Sequence, residues 1–344
     1  MKNIFVCLLF TCVLTACGSI NYISIDTFNP AEVTYPKGVK RLLIVNNAVS
    51  QPSDLGYTYK LSGVVQDTAR AKADSALFYA CSSLGKAIAD APLFDDVLLY
   101  HNTMRNDTDY LADKKLSQEE VKTLCEETGT DAIISIDRML FQMEKDVYAF
   151  AEGYTTGTID IKMSGVLRSY YPGRDNPLAT IYMNDSIFWS EDAGNLYQLA
   201  QVFPTPTEAL NDAGSFIGER SVPNFIPHWA KDSRWYYTGM GSQWKQAAAY
   251  VTTEKWDEAA VIWKKLYNNS SWSTKAKAAS NLALYYEINS KLEEALEWAT
   301  KAQNLFIKNK GDEDSQTHIQ KLYTNTLSTR LIANKKLNMQ LGKE

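Results

Sequence analysis

The chain predicts an α+β protein: an N-terminal α/β domain with an added antiparallel sheet, followed by a C-terminal α-helical domain. Three observations carry this. Between residues 20 and about 138, short continuous apolar runs alternate with stretches of helical period. From Phe141 to Trp189 the apolar period is two. Beyond Gly241 the helical period returns, and the sequence repeats itself 36 residues apart, with Trp256-Asp257-Glu258-Ala259 answered by Leu292-Glu293-Glu294-Ala295.

The first element in chain order is a leader. Lys2 precedes an apolar run from Ile4 to Leu14, long enough for a signal-peptide core and well short of the ~20 residues a spanning helix needs. The run closes on Leu14-Thr15-Ala16-Cys17, and a leucine, two small residues and a cysteine resemble the lipobox of bacterial lipoproteins. The resemblance implies that residues 1–16 are a signal peptide, that the Cys17 thiol takes a diacylglycerol, and that the new amine is acylated, as with palmitate. Two or more acyl chains hold stably at roughly 0.8 kcal/mol per buried CH2, so the membrane becomes a partner through Cys17. The competing reading is an ordinary signal peptide with a chance cysteine. After Cys17 come Gly18 and Ser19, with no acidic run. In Gram-negative lipoproteins an Asp after the Cys tends to retain the protein at the inner membrane, and in Bacteroidota an acidic run there resembles a surface-export signal. The lack of both points to the outer membrane, on its periplasmic face rather than the cell surface.

Removing residues 1–16 leaves 328 residues, enough for two domains, and takes away one Lys and no acid, so the net charge moves from −5 to −6. Mild acidity argues against nucleic acid, which needs a basic stripe. Three His in the whole chain leave little material for a zinc or His-based catalytic site. Cys81 and Cys125 remain in the mature chain, each on the apolar face of a predicted helix. Two buried thiols are the simpler reading, and a disulfide stays open outside the cytoplasm.

Residues 17–190 form the expected α/β domain with its strand extension. Arg41 to Asn46 is a continuous apolar strand. A helix comes after it over about 67–91, with Leu77, Cys81, Leu84 and Ile88 on one face and Pro92 beyond its end. Val97 to Tyr100 is a second short strand. Ser117 with Glu120 is a capping box, Val121, Leu124 and Cys125 are the face of the helix it opens, and Gly129 sits where a glycine ends one. Asp131 to Ile136 is the next strand. This order, ending in Gly129-Thr130-Asp131-Ala132-Ile133-Ile134, resembles the α/β domain shared by curli-secretion lipoproteins and the N-terminal domain of the translocation protein TolB. The resemblance departs at Asp137, where that domain has a glycine.

The period-two stretch comes next. Ile159, Ile161, Met163, Gly165 and Leu167 alternate with polar neighbours; the loop 171–177 turns the chain; Ala179, Ile181 and Met183 continue the pattern, with Ile187 and Trp189 past Asp185. A soluble, half-buried sheet and a pair of membrane strands compete here, and Asp185 interrupting the apolar row favours the first. Residues 191–240 are a connector with a helix after Thr207 and a Pro-rich exit, Pro223 to Trp229. Residues 241–344 are helical. Asn281-Leu282-Ala283, Tyr286, Ala295 and Ala302 resemble the tetratricopeptide (TPR) pattern, here without the proline that ends each repeat, and residues 315–338 add a capping helix. An unrelated helical bundle is the alternative. With only two repeats, docking against the connector is expected.

Candidate chemistry is sparse. Gly239-Met240-Gly241 lacks the third glycine of a phosphate cradle and reads as a domain joint. Asp107, Asp109 and Asp113 imitate the start of a calcium loop, but Ala112 stands where glycine is needed and Gln118 where the bidentate Glu belongs. No Ser-His-Asp or Cys-His arrangement has local context, so no catalytic residue, metal or cofactor is expected. Asp67-Thr68-Ala69 and Asp185-Ser186-Ile187 match the short pattern at which Bacteroidota O-glycosylate exported proteins, making Thr68 and Ser186 candidates. The TPR resemblance places Trp244, Lys245, Thr252, Lys277, Asn281 and Glu287 on a concave groove suited to a protein or peptide partner. Occupation of that groove by the connector itself, around Phe225 to Trp229, is the plainer alternative.

The whole arrangement resembles a family of Bacteroidota outer-membrane lipoproteins of unknown function that join an α/β-plus-strand domain to TPR-like helices. The resemblance is one of architecture; the leading expectation is a non-enzymatic, membrane-anchored protein that binds or scaffolds other proteins of the cell envelope, an α/β platform presenting a helical groove. The alternative is a subunit of an outer-membrane secretion channel like the curli-secretion lipoproteins.

Overall fold

The structure is a computed structural model describing residues 20–66, 70–102 and 104–343. It divides into two compact units, Ala31–Pro227 on the one hand and, on the other, the chain up to Pro30 together with everything from His228 onward. By compactness the division between them falls between Pro227 and His228. The first strand, β1 (Ile20–Asn29), belongs to the second unit and pairs with a strand about 200 residues away, a partnership that no local pattern encodes.

The α/β unit is built on a seven-stranded sheet of β2 (Arg41–Asn46), β3 (Tyr57–Leu61), β4 (Val64–Gln66), β5 (Asp96–Leu99), β6 (Ala132–Ala149), β7 (Thr155–Tyr170) and β8 (Ala179–Ala193). β6 is its axis. The first part of β6 runs parallel to β2, the second part parallel to β3, and its other side is antiparallel to β7, which in turn carries β8. The two stretches expected as separate strands, Asp131–Ile136 and the one from Phe141, are thus one strand. A bulge between Ile136 and Arg138 marks where it changes neighbour. Across the gap between β2 and β3 the exposed edge of β6 is sealed by Asn47 N, which donates to Ile136 O at 2.9 Å, and by the Gln51 side chain, which pairs with both backbone groups of Phe141. Gly56 closes the gap at φ +84, where a Cβ would stand 2.6 Å from Phe141 O.

Helices α1 (Asp74–Ala89), α3 (Leu196–Val202) and α4 (Pro206–Ser221) cover one sheet face. The core between them includes Leu42, Ile44, Leu84, Ile134, Ile161 and Ile217, all fully buried. The apolar row of β7 expected from its alternation, Ile159 to Leu167, lies in this core. α1 and α4 touch backbone to backbone: a Cβ at Gly214 would stand 2.2 Å from Ala76 O, and one at Gly218 2.3 Å from Ala80 O. Glycines one turn apart facing alanines one turn apart are what permit that approach. α2 (Gln118–Thr128) lies on the opposite sheet face, packing on Leu43, Val45 and Ile133, and begins and ends as expected, with the Ser117–Glu120 capping box and Gly129 at φ +65. Cys81 in α1 and Cys125 in α2 are buried free thiols in separate clusters, and burial pushes the Cys81 thiol up to about 12.

In the second unit β1 pairs antiparallel with β9 (His228–Tyr237) from Ile20–Tyr237 to Asn29–His228. Five helices come after it: α5 (Ser242–Thr252), α6 (Trp256–Asn269), α7 (Trp272–Ile288), α8 (Leu292–Lys310) and α9 (Ser315–Gln340). The 36-residue repeat is visible in the backbone itself. Glu254 and Ser290, 36 residues apart, both take positive φ (57° and 58°) in the turns α5–α6 and α7–α8. The residues after them, Lys255 and Lys291, donate their N–H to Tyr250 O and Tyr286 O in the same way. Ala259, Ala283, Ala295 and Ala299 are wholly buried where the helices cross. Among the described residues, no helix is long and apolar enough to cross a membrane.

Candidate functional site

The structure fills the expected concave groove with the chain's own strand β9. Asn281, on α7, is fully buried; its Oδ1 accepts from Tyr237 N at 2.7 Å and its Nδ2 donates to Tyr237 O at 2.8 Å. Further along α7, the buried Glu287 carboxylate accepts from Arg234 Nε at 3.0 Å and Nη2 at 2.9 Å, from Tyr323 Oη at 2.8 Å, and from Arg330 Nη1. The partner-binding role expected of Asn281 and Glu287 is corrected accordingly: both are committed to β9 and α9. Two repeats have no third repeat to cover their inner face, so the chain supplies a strand. The occupying segment is the last part of the connector, Arg234 to Tyr237, rather than Phe225 to Trp229.

The remaining groove residues are not gathered into one site. Trp244 is half-buried against Gly239 and the core of this unit. The Lys277 ammonium lies 5.7 Å from the centre of the Tyr237 ring, and burial followed by Lys310 pulls its pKa down. Lys245 and Thr252 are exposed, and the Thr252 hydroxyl is turned back to Ala248 O. Cys17 and Thr68 lie outside the described residues. Ser186 is exposed in the middle of β8.

Two charged clusters in the α/β unit show what the sequence signals meant. Asp137, the departure from the glycine of the resembling domain, is the bulge residue and is completely buried. Its carboxylate accepts from Arg168 Nη1 at 2.6 Å, Asn47 Nδ2 at 3.0 Å and Tyr170 Oη at 3.0 Å, as well as from Ser135. Arg168 continues to Asp113 at 2.8 Å. Open α/β sheets bind ligands beyond the carboxyl ends of their parallel strands, and here that place is occupied by the polar cluster and the loop from which Asp113 reaches it. In the same loop the imitation of a calcium site is built around Arg105, whose guanidinium grips Asp107 at 2.7 and 3.1 Å and donates to Asp109 O and Ala112 O. The Arg105 and Lys114 side chains hold the Asp107 carboxyl well below the usual range. Among the described residues no group of three or more His, Cys, Asp or Glu is placed to hold a metal.

What stands open is the other part of the sheet. On β6, β7 and β8 the face opposite α1 and α4 carries the cross-strand rows Leu140–Ser164–Asn184 and Gln142–Lys162–Ser186. They floor a pocket of about 780 Å³ walled by Leu55, Thr58 and Tyr110. β8, the strand at this margin, is 15 residues long and pairs only with β7 among the described residues. No local pattern announces these features: alternation marks which residues face away from the core, but not that none of the other described residues covers them.

Fold and open surfaces together define a two-unit α+β protein whose α/β unit exposes a polar sheet face and a free strand edge, and whose helical unit is closed on itself. The chain belongs to the family described as a domain of unknown function, DUF8603, whose model matches residues 39–237, more than half of it. A second model, described as the domain of unknown function DUF6340, matches residues 245–329. None of the curated proteins matches. Among solved structures, the PelC dodecamer from Paraburkholderia phytofirmans is 7% identical, with 60% of this chain and 100% of that chain covered, at a TM-score of 0.26. A protein from Helicobacter pylori described as a putative neuraminyllactose-binding hemagglutinin homolog is 8% identical, with 56% and 81% covered, at 0.21. Likenesses this slight carry no functional argument.

Proposed function

We propose that this is a lipid-anchored protein of the cell envelope, held through Cys17 at the periplasmic face of the outer membrane, that binds another protein and catalyses no reaction. Binding occurs by strand addition at β8, where a partner's extended segment takes up the free backbone groups. The free edge is the observation that supports this reading. Long edge strands are ordinarily blunted by Lys, Pro or a bulge; Ala179–Ala193 contains no Lys or Pro and keeps an unbroken register with β7. Asp185, whose charge turned toward the helices would discourage pairing, is neutralised by Arg220 at 3.2 Å. Main-chain hydrogen bonds would supply affinity, and the exposed Tyr182 and Phe188 selectivity. In the alternative reading, a secretion-channel subunit, the added strand comes from the next copy of this chain.

Photo-reactive residues at Tyr182, Phe188 and Ser190, activated in intact cells, test the reading. Adducts on alternate residues of one extended partner segment are expected, because strand pairing repeats every two residues. Adducts within a second copy of this chain favour the channel. Adducts scattered without register remove strand addition.

A further inference from the structure

We propose that the open sheet face of the α/β unit is a binding site for a saccharide bearing a carboxylate group. This goes beyond the edge of β8, since it concerns side chains on the face of the sheet rather than the free backbone.

The pocket floor is built by register. Gln142 of β6, Lys162 of β7 and Ser186 of β8 stand side by side, as do Leu140, Ser164 and Asn184 in the adjoining row. Thr58 and Tyr110 stand in the walls. Among the described residues, the side chains of Gln142, Lys162, Ser164 and Asn184 have no hydrogen-bond or ion-pair partner, so their bonding capacity is open to a ligand.

The chemistry of this set selects among ligand classes. Amides and hydroxyls each offer both donors and acceptors, which is what sugar hydroxyls need, since every one of them also does both. A phosphate-rich ligand calls for guanidinium clusters, whereas the floor offers one ammonium. An apolar ligand calls for a mostly apolar lining; Leu55, Tyr57, Phe141 and Met163 do line the pocket, but in the two floor rows Leu140 is the single apolar side chain among five polar ones. The lone ammonium, Lys162, lies between an amide and a hydroxyl, placed for one carboxylate. Asp185, which also lines the pocket, is paired with Arg220; the acidic groups of the next row, Glu144 and Asp160, sit on the far side of Lys162, with Glu144 held by Lys60, and together they make a dense negative charge unwelcome. Tyr182 and Phe188 are 69% and 61% exposed on the same face of β8, bracketing Asn184 and Ser186. They stand six positions apart along the strand, about 20 Å, a span wide enough for more than one sugar ring to lie on an aromatic face.

The test uses full-length protein extracted in detergent and a glycan array presenting uronic-acid saccharides beside the same saccharides with their carboxylates reduced to alcohols. Retention on uronic-acid glycans is expected, with at least a tenfold loss on the reduced forms. Lys162→Met should bring binding of the carboxylated glycans down to the level of the reduced ones, while Asn184→Ala should weaken both. Thermal melts by circular dichroism show whether each variant is folded. A folded wild type that binds no uronic-acid glycan overturns the proposal. So does equal binding of the reduced glycans, and so does a folded Lys162→Met that binds undiminished. Crosslinking from Ser190 in the Lys162→Met variant reads the edge of β8 separately, so loss of one function leaves the other visible.

Discussion

Asn281 treats Tyr237 as a neighbouring strand would, accepting from its N–H and donating to its carbonyl through one side-chain amide. Gln51 does the same for Phe141, accepting from N at 2.8 Å and donating to O at 2.9 Å. In both places one side of a strand has no neighbouring strand at that residue, and a side-chain amide returns both bonds from two separate atoms, one donor and one acceptor.

Removing that group should leave two buried backbone groups unpaired at once. Asn281→Ala is expected to destabilise the helical unit by about 1–3 kcal/mol, and Gln51→Ala to do the same to the α/β unit. Urea unfolding followed by far-ultraviolet circular dichroism measures both; an unchanged midpoint for either variant would show that water reaches the strand.

Glu287 carries a heavier consequence. Its buried carboxylate answers Arg234 and Arg330 together, so Glu287→Ala takes a partner from two cations and leaves the buried Arg234 with Asp232 at 3.4 Å as its remaining ion pair. A loss of about 3–5 kcal/mol is expected, and Arg330→Ala, at the more exposed partner, should cost less. Reversal of that order in thermal melts would contradict the geometry.

The α1–α4 contact predicts that the smallest possible addition is harmful. Gly218→Ala places a methyl against Ala80 O, which is backbone and cannot swing aside. Destabilisation of about 1–3 kcal/mol is expected, although alanine has the better helix propensity. Gly38→Ser, where a Cβ meets nothing within 4 Å but φ is +96, separates backbone strain from crowding.

Asp107 predicts a dependence on pH. Its folded pKa is depressed by Arg105 and Lys114, so the stabilisation it contributes is complete above the unfolded value of about 3.9 and is lost as pH falls through the folded value. Wild type should therefore exceed Asp107→Asn in stability near neutral pH, and the gap should close in strong acid. A gap independent of pH would mean that the loop is held by Arg105 contacts to the backbone alone.

The anchor is tested by Cys17→Ala. Radiolabelled palmitate should enter the wild type and not the variant, which should stay uncleaved or leave the membrane fraction; label retained on the variant would remove the lipobox assignment.

Local signals were legible because local physics produces them. The Ser117–Glu120 box, the Gly129 end of α2, the buried run Arg41–Asn46, the alternation of β7 and the 36-residue repeat all depend on neighbours within a few residues or on a repeated hairpin, and the sequence carries each of them. What pairs across distance was not legible. β1 joins β9 although either strand could have found other partners. Asn281 and Glu287 have the residue types of a binding groove, yet serve β9 because only the folded chain puts Tyr237 and Arg234 against them. Lys162 and Asn184 alternate like any solvent-facing residues, and become a pocket floor only because α1, α3 and α4 cover the other side of the sheet while the walls at Leu55 and Tyr110 rise beside them. Hydrogen-bond register and coverage are properties of the assembled sheet, and no stretch of sequence contains them.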